Sequence, residues 1–306
     1  MSRLPDPISD VSVLSTGSVV IRPEHVGPTK LNLYLWLATS RRWTDPLPIN
    51  VYVIEHRDGL VLFDTGQDRA SVTDPDYFPG GLNGLLYSRL GTFSIAEDQT
   101  LTAGLARLGH DIGDVGTAVI SHLHQDHIGG LPELGHAELL VSRPEWASLT
   151  QPFPRARGLM PNHIDLSGLT WRLIDAEPLG DPTLAPFTQG HDVFGDGSIV
   201  LLPTPGHTPG SLSMLVRRPG HRPLLMVGDL TYDDRLLAAG QLPGVGDKKQ
   251  MRLAVRMVNE LRTSLPGLVV LPAHDPTAAR RLDDALAAGP ARLHDDDSDN
   301  HLPQVR

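Results

Sequence analysis

Short apolar runs, cut by glycine, proline and aspartate, recur along the whole chain and follow two periods. Residues 31–37, Leu-Asn-Leu-Tyr-Leu-Trp-Leu, alternate at every second position and predict a half-buried strand. Residues 50–55 and 60–63 predict two more, joined through Arg57-Asp58-Gly59, because Asp-Gly between apolar runs favours a hairpin turn. Further strands are predicted at 117–121, 138–142, 198–203, 211–216, 224–227 and 268–271, with Arg218-Pro219-Gly220 turning the chain between 216 and 224. Helical spacing appears at 98–108 through Leu101, Leu105 and Leu108, with Gly109 placed to end the helix. It is clearest at 248–265, where Met251, Ala254, Val255, Val258, Leu261 and Leu265 share a face and Pro266-Gly267 stops the helix. Pro144 is placed to open another helix, and 276–287 reads as a closing one.

Three stretches break these periods. Residues 74–95 carry Tyr77, Phe78, Leu82, Leu85, Leu86, Tyr87, Leu90 and Phe93 among glycines that weaken a continuous helix. So apolar a segment reads as a lid packed on the core, as a wall of an apolar pocket, or as both. Residues 151–168 read as a long exposed loop. The polar, proline-containing start (1–10, then a loop at 22–29) reads as unfixed, and the acidic end with Asp295-Asp296-Asp297 lacks the apolar residues to pack. The expected organisation is an N-terminal extension at 1–30, one α/β domain at 31–288 that includes 74–95, and a disordered tail at 289–306. Two β-rich halves, each followed by helix, hint at a duplicated sandwich, and no linker divides them.

Composition narrows the function. Of 306 residues, 40% are apolar and 20% charged, which describes a globular chain with a sizeable core. A net charge of -10 argues against a nucleic-acid surface, which needs clustered Lys and Arg. The start has no apolar signal core, and no run approaches the roughly eighteen apolar residues of a membrane span, so the expected location is cytoplasmic with no membrane partner. There is no cysteine, so disulfides are excluded and any metal must be held by histidines and carboxylates.

Such ligands are concentrated in Ser121-His122-Leu123-His124-Gln125-Asp126-His127-Ile128-Gly129-Gly130, where four fall within six residues after a predicted strand. Imidazoles with a carboxylate suit a borderline cation such as zinc. His122 and His124, two apart, can face one ion from an extended turn, while Asp126 and His127 more naturally face a second. Three more strands end in a ligand-type residue: His207 in Thr204-Pro205-Gly206-His207-Thr208-Pro209-Gly210, Asp229 in Gly228-Asp229, and His274 in Pro272-Ala273-His274-Asp275. Loops at strand ends converge while a sheet holds them still, so four such places in one chain form a coherent signal. The other nine histidines, at 25, 56, 110, 136, 163, 191, 221, 294 and 301, have no partner motif and read as surface or locally hydrogen-bonded. Thr208 and Ser211 are placed to brace His207.

Over roughly residues 31 to 285 this pattern resembles the metallo-β-lactamase superfamily, whose His-x-His-x-Asp-His motif is matched by His122, His124, Asp126 and His127 and whose companions are matched in order by His207, Asp229 and His274. The resemblance implies a four-layer αβ/βα sandwich, two sheets face to face with helices outside. It implies two divalent ions, zinc first with iron or manganese as alternatives: one held by His122, His124 and His207, the other by Asp126, His127 and His274, with Asp229 bridging. Asp64, in Asp64-Thr65-Gly66, is similar to the family's buried carboxylate that braces the metal loop.

Within the superfamily the chain most resembles the N-acyl-homoserine lactone lactonases. Tyr232, three residues after Asp229, matches their tyrosine directed at the substrate carbonyl, and Pro48-Ile49-Asn50-Val51-Tyr52 and the 74–95 segment are similar too. The implied reaction is ester hydrolysis by hydroxide formed between the two cations, with Tyr232 supporting the oxyanion and Asp126 returning a proton to the leaving alkoxide. The implied substrate is a small neutral ester or lactone, since no basic residue abuts the motifs, and a second copy of the chain is a candidate partner. Two rivals use the same ligands: a thioesterase of the glyoxalase II kind, which needs basic residues for glutathione, and a di-iron redox protein, which usually carries Glu near the motif and an added flavodoxin domain.

Overall fold

In the strand Leu47–His56, Tyr52 and Ile54 belong to one apolar cluster and Val51 and Val53 to another, and all four are buried. Successive side chains on a strand point to opposite faces, so such a strand must be covered on both sides. The computed structural model, which describes residues 6–288, provides that cover as helix, sheet, sheet and helix. The protein is the αβ/βα sandwich expected from the resemblance.

The first sheet contains β1 (Ile8–Ile21), β2 (Leu47–His56), β3 (Gly59–Phe63), β4 (Gly91–Ser94), β5 (Val115–Val119), β6 (Glu138–Ser142) and β7 (Thr170–Ile174), in the spatial order β4-β1-β2-β3-β5-β6-β7. Its β4-β1-β2-β3 part is antiparallel and its β3-β5-β6-β7 part parallel. The second contains β8 (Glu177–Pro178), β9 (Gln189–Asp192), β10 (Ile199–Pro203), β11 (Leu212–Val216), β12 (Leu224–Met226) and β13 (Val269–Leu271), in the order β13-β12-β11-β10-β9-β8. Only its β12/β13 pair is parallel. Tyr52, Phe63 and Val119 of the first sheet share a core with Leu201, Met214 and Met226 of the second. The outer faces are covered by Leu101 and Leu105 of the helix Leu101–Arg107 on one side and by Ala254, Val258 and Leu261 of the helix Lys248–Ser264 on the other. Among the described residues no helix is long and apolar enough to cross a membrane.

Three expectations need correction. Residues 31–37 are not a strand: Leu33–Thr39 is a helix whose Asn32 cap accepts from the Leu35 amide at 2.9 Å. Alternation over seven residues also places 33, 36 and 37 on one helical face, and Trp36 and Leu37 are the buried pair while Tyr34 and Leu35 face solvent. The sheet does not begin at 31, because β1 lies within the supposed 1–30 extension and pairs with β2 and β4. Register shifts at Ile8/Asp10 and Ser15/Ser18 interrupt its alternation, which is why it does not read as a strand. Within 74–95, Gly81–Leu90 is a continuous helix despite its glycines, leading directly into β4. Leu86, Tyr87, Leu90 and Phe93 line the cavity described below, while Tyr77 and Tyr87 pack with Met160, so the segment serves as core and wall together. The expected tail at 289–306 lies outside the described residues.

Candidate metal centre

Two neighbouring strands deliver the loops on which the centre is built. β3 ends at Asp64 and β5 leads through Ile120 to Ser121, and the two strands run parallel, so both ends reach the same edge. Asp64 is buried and has a left-handed backbone (φ 65°), which aspartate tolerates better than most residues. Its carboxylate accepts from the Ser121 amide at 2.7 Å and the Ser121 hydroxyl at 2.9 Å, and lies 2.8 Å from His127 Nδ1. Thr65 continues the clamp, its amide and hydroxyl both donating to the His127 carbonyl at 2.9 and 3.0 Å. The glycines after the motif have a steric cause: a Cβ on Gly129 would stand 2.1 Å from the Asp68 main-chain nitrogen.

The seven ligand-type side chains meet there. Three groups of donor atoms lie within 4.8 Å of one another: His122, His124 and His207; His122, His127 and Asp229; Asp126, His127 and His274. Asp229 spans them. Its Oδ1 is 3.3 Å from both His127 Nε2 and His274 Nε2, and its Oδ2 is 3.5 Å from His207 Nε2. His274 Nε2 is also 3.4 Å from Asp126, whose side chain is more open to the cavity (18%) than those of His127, His274 or Asp229.

The outward hydrogen bonds decide what this group can hold. His127 Nδ1 faces Asp64, His274 Nδ1 faces the Pro48 carbonyl at 2.9 Å, and His124 Nε2 faces the Arg157 carbonyl at 3.2 Å. His122 Nδ1 faces the Ser121 hydroxyl at 3.0 Å, whose own proton goes to Asp64. An imidazole that donates outward turns a lone pair inward. His122 Nε2 and His124 Nδ1 consequently turn lone pairs toward each other at 3.0 Å, repulsive unless a cation lies between them, and His207 Nε2 stands a further 3.0 Å from His124 Nδ1. Nitrogens about 2.0–2.1 Å from a tetrahedral zinc stand roughly 3.3 Å apart, so the donor set fits such an ion. His127 Nε2 and Asp229 Oδ1, both buried, have no hydrogen-bond partner, which fits a second cation between them.

The electrostatics agree. Burial, reinforced by the neighbouring imidazoles, holds His122 well below the ordinary histidine range, and burial likewise lowers His207 against the pull of Asp229. Burial opposes charge on His127 and on Asp229, yet Asp64 and Asp229 raise the histidine, while His274 and His127 lower the aspartate. His122 and His207 therefore disfavour protonation, while His127 and Asp229 support each other's charge.

Glu145 was not legible as part of this centre. It sits one residue beyond Pro144 in the helix Arg143–Ala147 and is fully buried. Its Oε1 accepts from the Leu123 amide at 3.0 Å, and its Oε2 from the Thr208 hydroxyl at 2.7 Å and the Gly210 amide at 3.0 Å. One carboxyl thus ties the loop of His122 and His124 to the loop of His207. Thr208 and Ser211 join the same network, with the Thr208 amide donating to Ser211 Oγ at 3.1 Å. An acidic residue just after Ser-x-Pro reads locally as helix-start chemistry, which hides the long-range role.

Above the ligands opens a cavity with apolar walls. Tyr232 is buried in its floor, stacked on His274 (centroids 5.5 Å apart), with its hydroxyl donating to Asp229 Oδ2 at 2.7 Å. Burial and Asp229 push its pKa well above the usual phenol range, so the group is a hydrogen-bond donor at neutral pH. His25 departs from the surface reading of the nine leftover histidines: it lines the cavity, neither ring nitrogen has a partner, and burial pulls its pKa down to about 4. Arg157, which lies outside the motifs in sequence, is the only Lys or Arg among the described lining residues. Its guanidinium is nevertheless engaged by the Ser148 carbonyl at 2.6 Å and Gln151 Oε1 at 2.9 Å.

Comparison with known proteins agrees with this architecture. Residues 44–274 match the metallo-beta-lactamase superfamily. The N-acyl homoserine lactonase AttM of Rhizobium radiobacter is 31% identical over 237 residues, covering 76% of this chain and 83% of that protein. An N-acyl homoserine lactonase of a Bacillus species is 28% identical over 187 residues, covering 61% of this chain and 65% of its own. The solved structure of an N-acyl homoserine lactone hydrolase, with the product N-hexanoyl-L-homoserine at its catalytic metal centre, superposes with a TM-score of 0.70 at 21% identity, covering 88% of this chain and 94% of that one. A fold with these layers, a His/Asp cluster at one edge and a family match over most of its length lead to one assignment: the chain belongs to the metallo-beta-lactamase superfamily, as a metallo-hydrolase related to the N-acyl homoserine lactonases.

Proposed function

We propose that the protein opens the ring of N-acyl homoserine lactones by hydrolysis, using two divalent cations, zinc in the first instance. His122, His124 and His207 would hold one ion and Asp126, His127 and His274 the other, with Asp229 within reach of both groups. When bound, the metals supply an activated water at neutral pH and polarise the ester carbonyl. The observation that carries the reading is the junction of the seven-ligand cluster with an apolar-walled cavity whose floor carries a protonated phenol.

The chain's own residues divide the remaining work. Leu33, Leu37, Leu86, Leu90 and Phe93 form walls suited to an acyl tail. Tyr232 donates to the carbonyl oxygen as negative charge develops there, shifting its hydrogen bond from Asp229. Asp126, the ligand open to the cavity, holds the proton that passes to the ring oxygen when the carbon–oxygen bond breaks. Water adds to the carbonyl carbon, and the products are a carboxylate and an alcohol. A glutathione thioester is the second reading. It is disfavoured because the lining offers no free guanidinium or ammonium for an anionic substrate, Arg157 being engaged elsewhere.

Two measurements test this. Zinc-loaded protein is expected to release acid from N-hexanoyl and N-decanoyl homoserine lactone in a pH-stat, to stop after exhaustive chelation and to recover when zinc is returned. Turnover of S-lactoylglutathione in preference to either lactone would reject the reading. Tyr232→Phe is expected to keep its metal and to lose about a hundredfold in kcat, the scale of removing one oxyanion donor. An unaltered kcat would remove the tyrosine from the reaction.

A further inference from the structure

From the ligand cluster outward the cavity wall is a ladder of rings. Tyr232 lies nearly parallel to His274 (14°) at 5.5 Å, and His25 meets Tyr232 edge-on (73°) at 5.5 Å, with Trp36 behind it at 6.0 Å. His25 is held by its backbone: it lies in the short helix Pro23–Val26 after β1, and its carbonyl accepts from the Gly244 amide at 2.8 Å. Among the described residues neither ring nitrogen has a hydrogen-bond partner, although the ring borders the cavity. Leaving a buried polar atom unpaired is unfavourable, and the cost is removed if a ligand brings the partner.

We infer that His25 is a substrate-positioning residue, and that its imidazole hydrogen-bonds the amide which N-acyl homoserine lactones carry on the ring carbon next to the reacting carbonyl. This rests on the lactonase reading and deepens it. The geometry suits that group. Tyr232 stands beside the ligand cluster, His25 meets it edge-on, and the same cavity is lined by the apolar residues that would take the acyl tail. A neutral imidazole offers one N–H and one lone pair, and a secondary amide offers the complementary oxygen or N–H. A plain alkyl lactone can fill the apolar wall but leaves His25 unpaired. The protein is thus expected to discriminate for the acylamino group, and not merely for chain length.

The test compares N-decanoyl homoserine lactone with an alkyl γ-lactone of similar length that lacks the amide, using zinc-loaded wild-type, His25→Phe and His25→Gln proteins of verified metal content. Wild type is expected to prefer the amide-bearing lactone. In His25→Phe the ratio of the two kcat/KM values should fall about tenfold, mainly through KM for the amide-bearing substrate. His25→Gln, which keeps a donor and an acceptor, should recover part of the ratio. If His25→Phe slows both lactones by the same factor, or if Gln fares no better than Phe, the residue is structural and the inference fails while the lactonase reading stands. If wild type opens neither lactone, both readings fall together.

Discussion

Replacing Asp229 with alanine is expected to remove metal and ester hydrolysis together, with kcat/KM falling by a thousandfold or more, on the order of what loss of a transition-state charge stabiliser costs. The carboxylate serves three imidazoles at once: Oδ1 faces His127 and His274, and Oδ2 faces His207. Its removal takes from His127 and His274 the carboxylate their inward nitrogens share, so neither metal position would keep a full set of donors. Metal analysis of dialysed protein alongside lactone kinetics checks this. Full occupancy with lost activity would assign Asp229 a purely chemical role, and retained activity would exclude it from the centre. Tyr232 provides an internal comparison, because it touches the same carboxylate at 2.7 Å yet its loss is expected to spare the metal.

The second large effect is expected at a residue that no ligand motif contains. Glu145→Gln should weaken metal affinity by roughly 10–100-fold, the range for groups that orient metal ligands. Glu145 Oε1 and Oε2 receive three donors from two loops, and a glutamine can present an acceptor oxygen on only one arm. Glu145→Ala goes further. It leaves the Leu123 and Gly210 amides without partners in a site that water does not reach, at about 1–3 kcal/mol each. Competition with a chelator of known affinity measures the first effect and thermal unfolding of the metal-free protein the second. Thr208→Val, which removes one of the three donors, should do less than either change at Glu145. Equal effects at the two positions would contradict the bridging role.

Much of the sheet framework was legible before any coordinates. The segments at 138–142, 211–216 and 248–265 were readable within a residue or two because local pattern and tertiary burial agree there. The strands between the sheets are apolar on both faces, and the helix Lys248–Ser264 buries one clean stripe. Where local and tertiary demands diverge, the reading failed. In residues 31–37, one spacing satisfies two periods, and the Asn32 cap together with a site for Trp36 decided for helix. In β1, bulges shift the alternation, so its buried Ile8, Val11, Leu14, Val19 and Ile21 keep no single period and pairing with β2 and β4 sets the strand.

The sequence by itself determined which atoms are available. Without cysteine, a metal site must draw on His and carboxylate, and the spacing of His122, His124, Asp126 and His127 together with His207, Asp229 and His274 at strand ends restricted the candidates to these seven. Only the tertiary structure decided which nitrogen of His124, His127 and His274 turns inward, because that depends on outward partners from Arg157, Asp64 and Pro48, which are distant in the chain. It also decided that Glu145 joins two loops and that His25 stands unpaired in the cavity wall. Ligand identity is a property of covalent chemistry and short spacing, carried by the chain itself. Hydrogen-bond partnership and solvent exclusion arise between segments tens to hundreds of residues apart, and exist only once the sheets have packed.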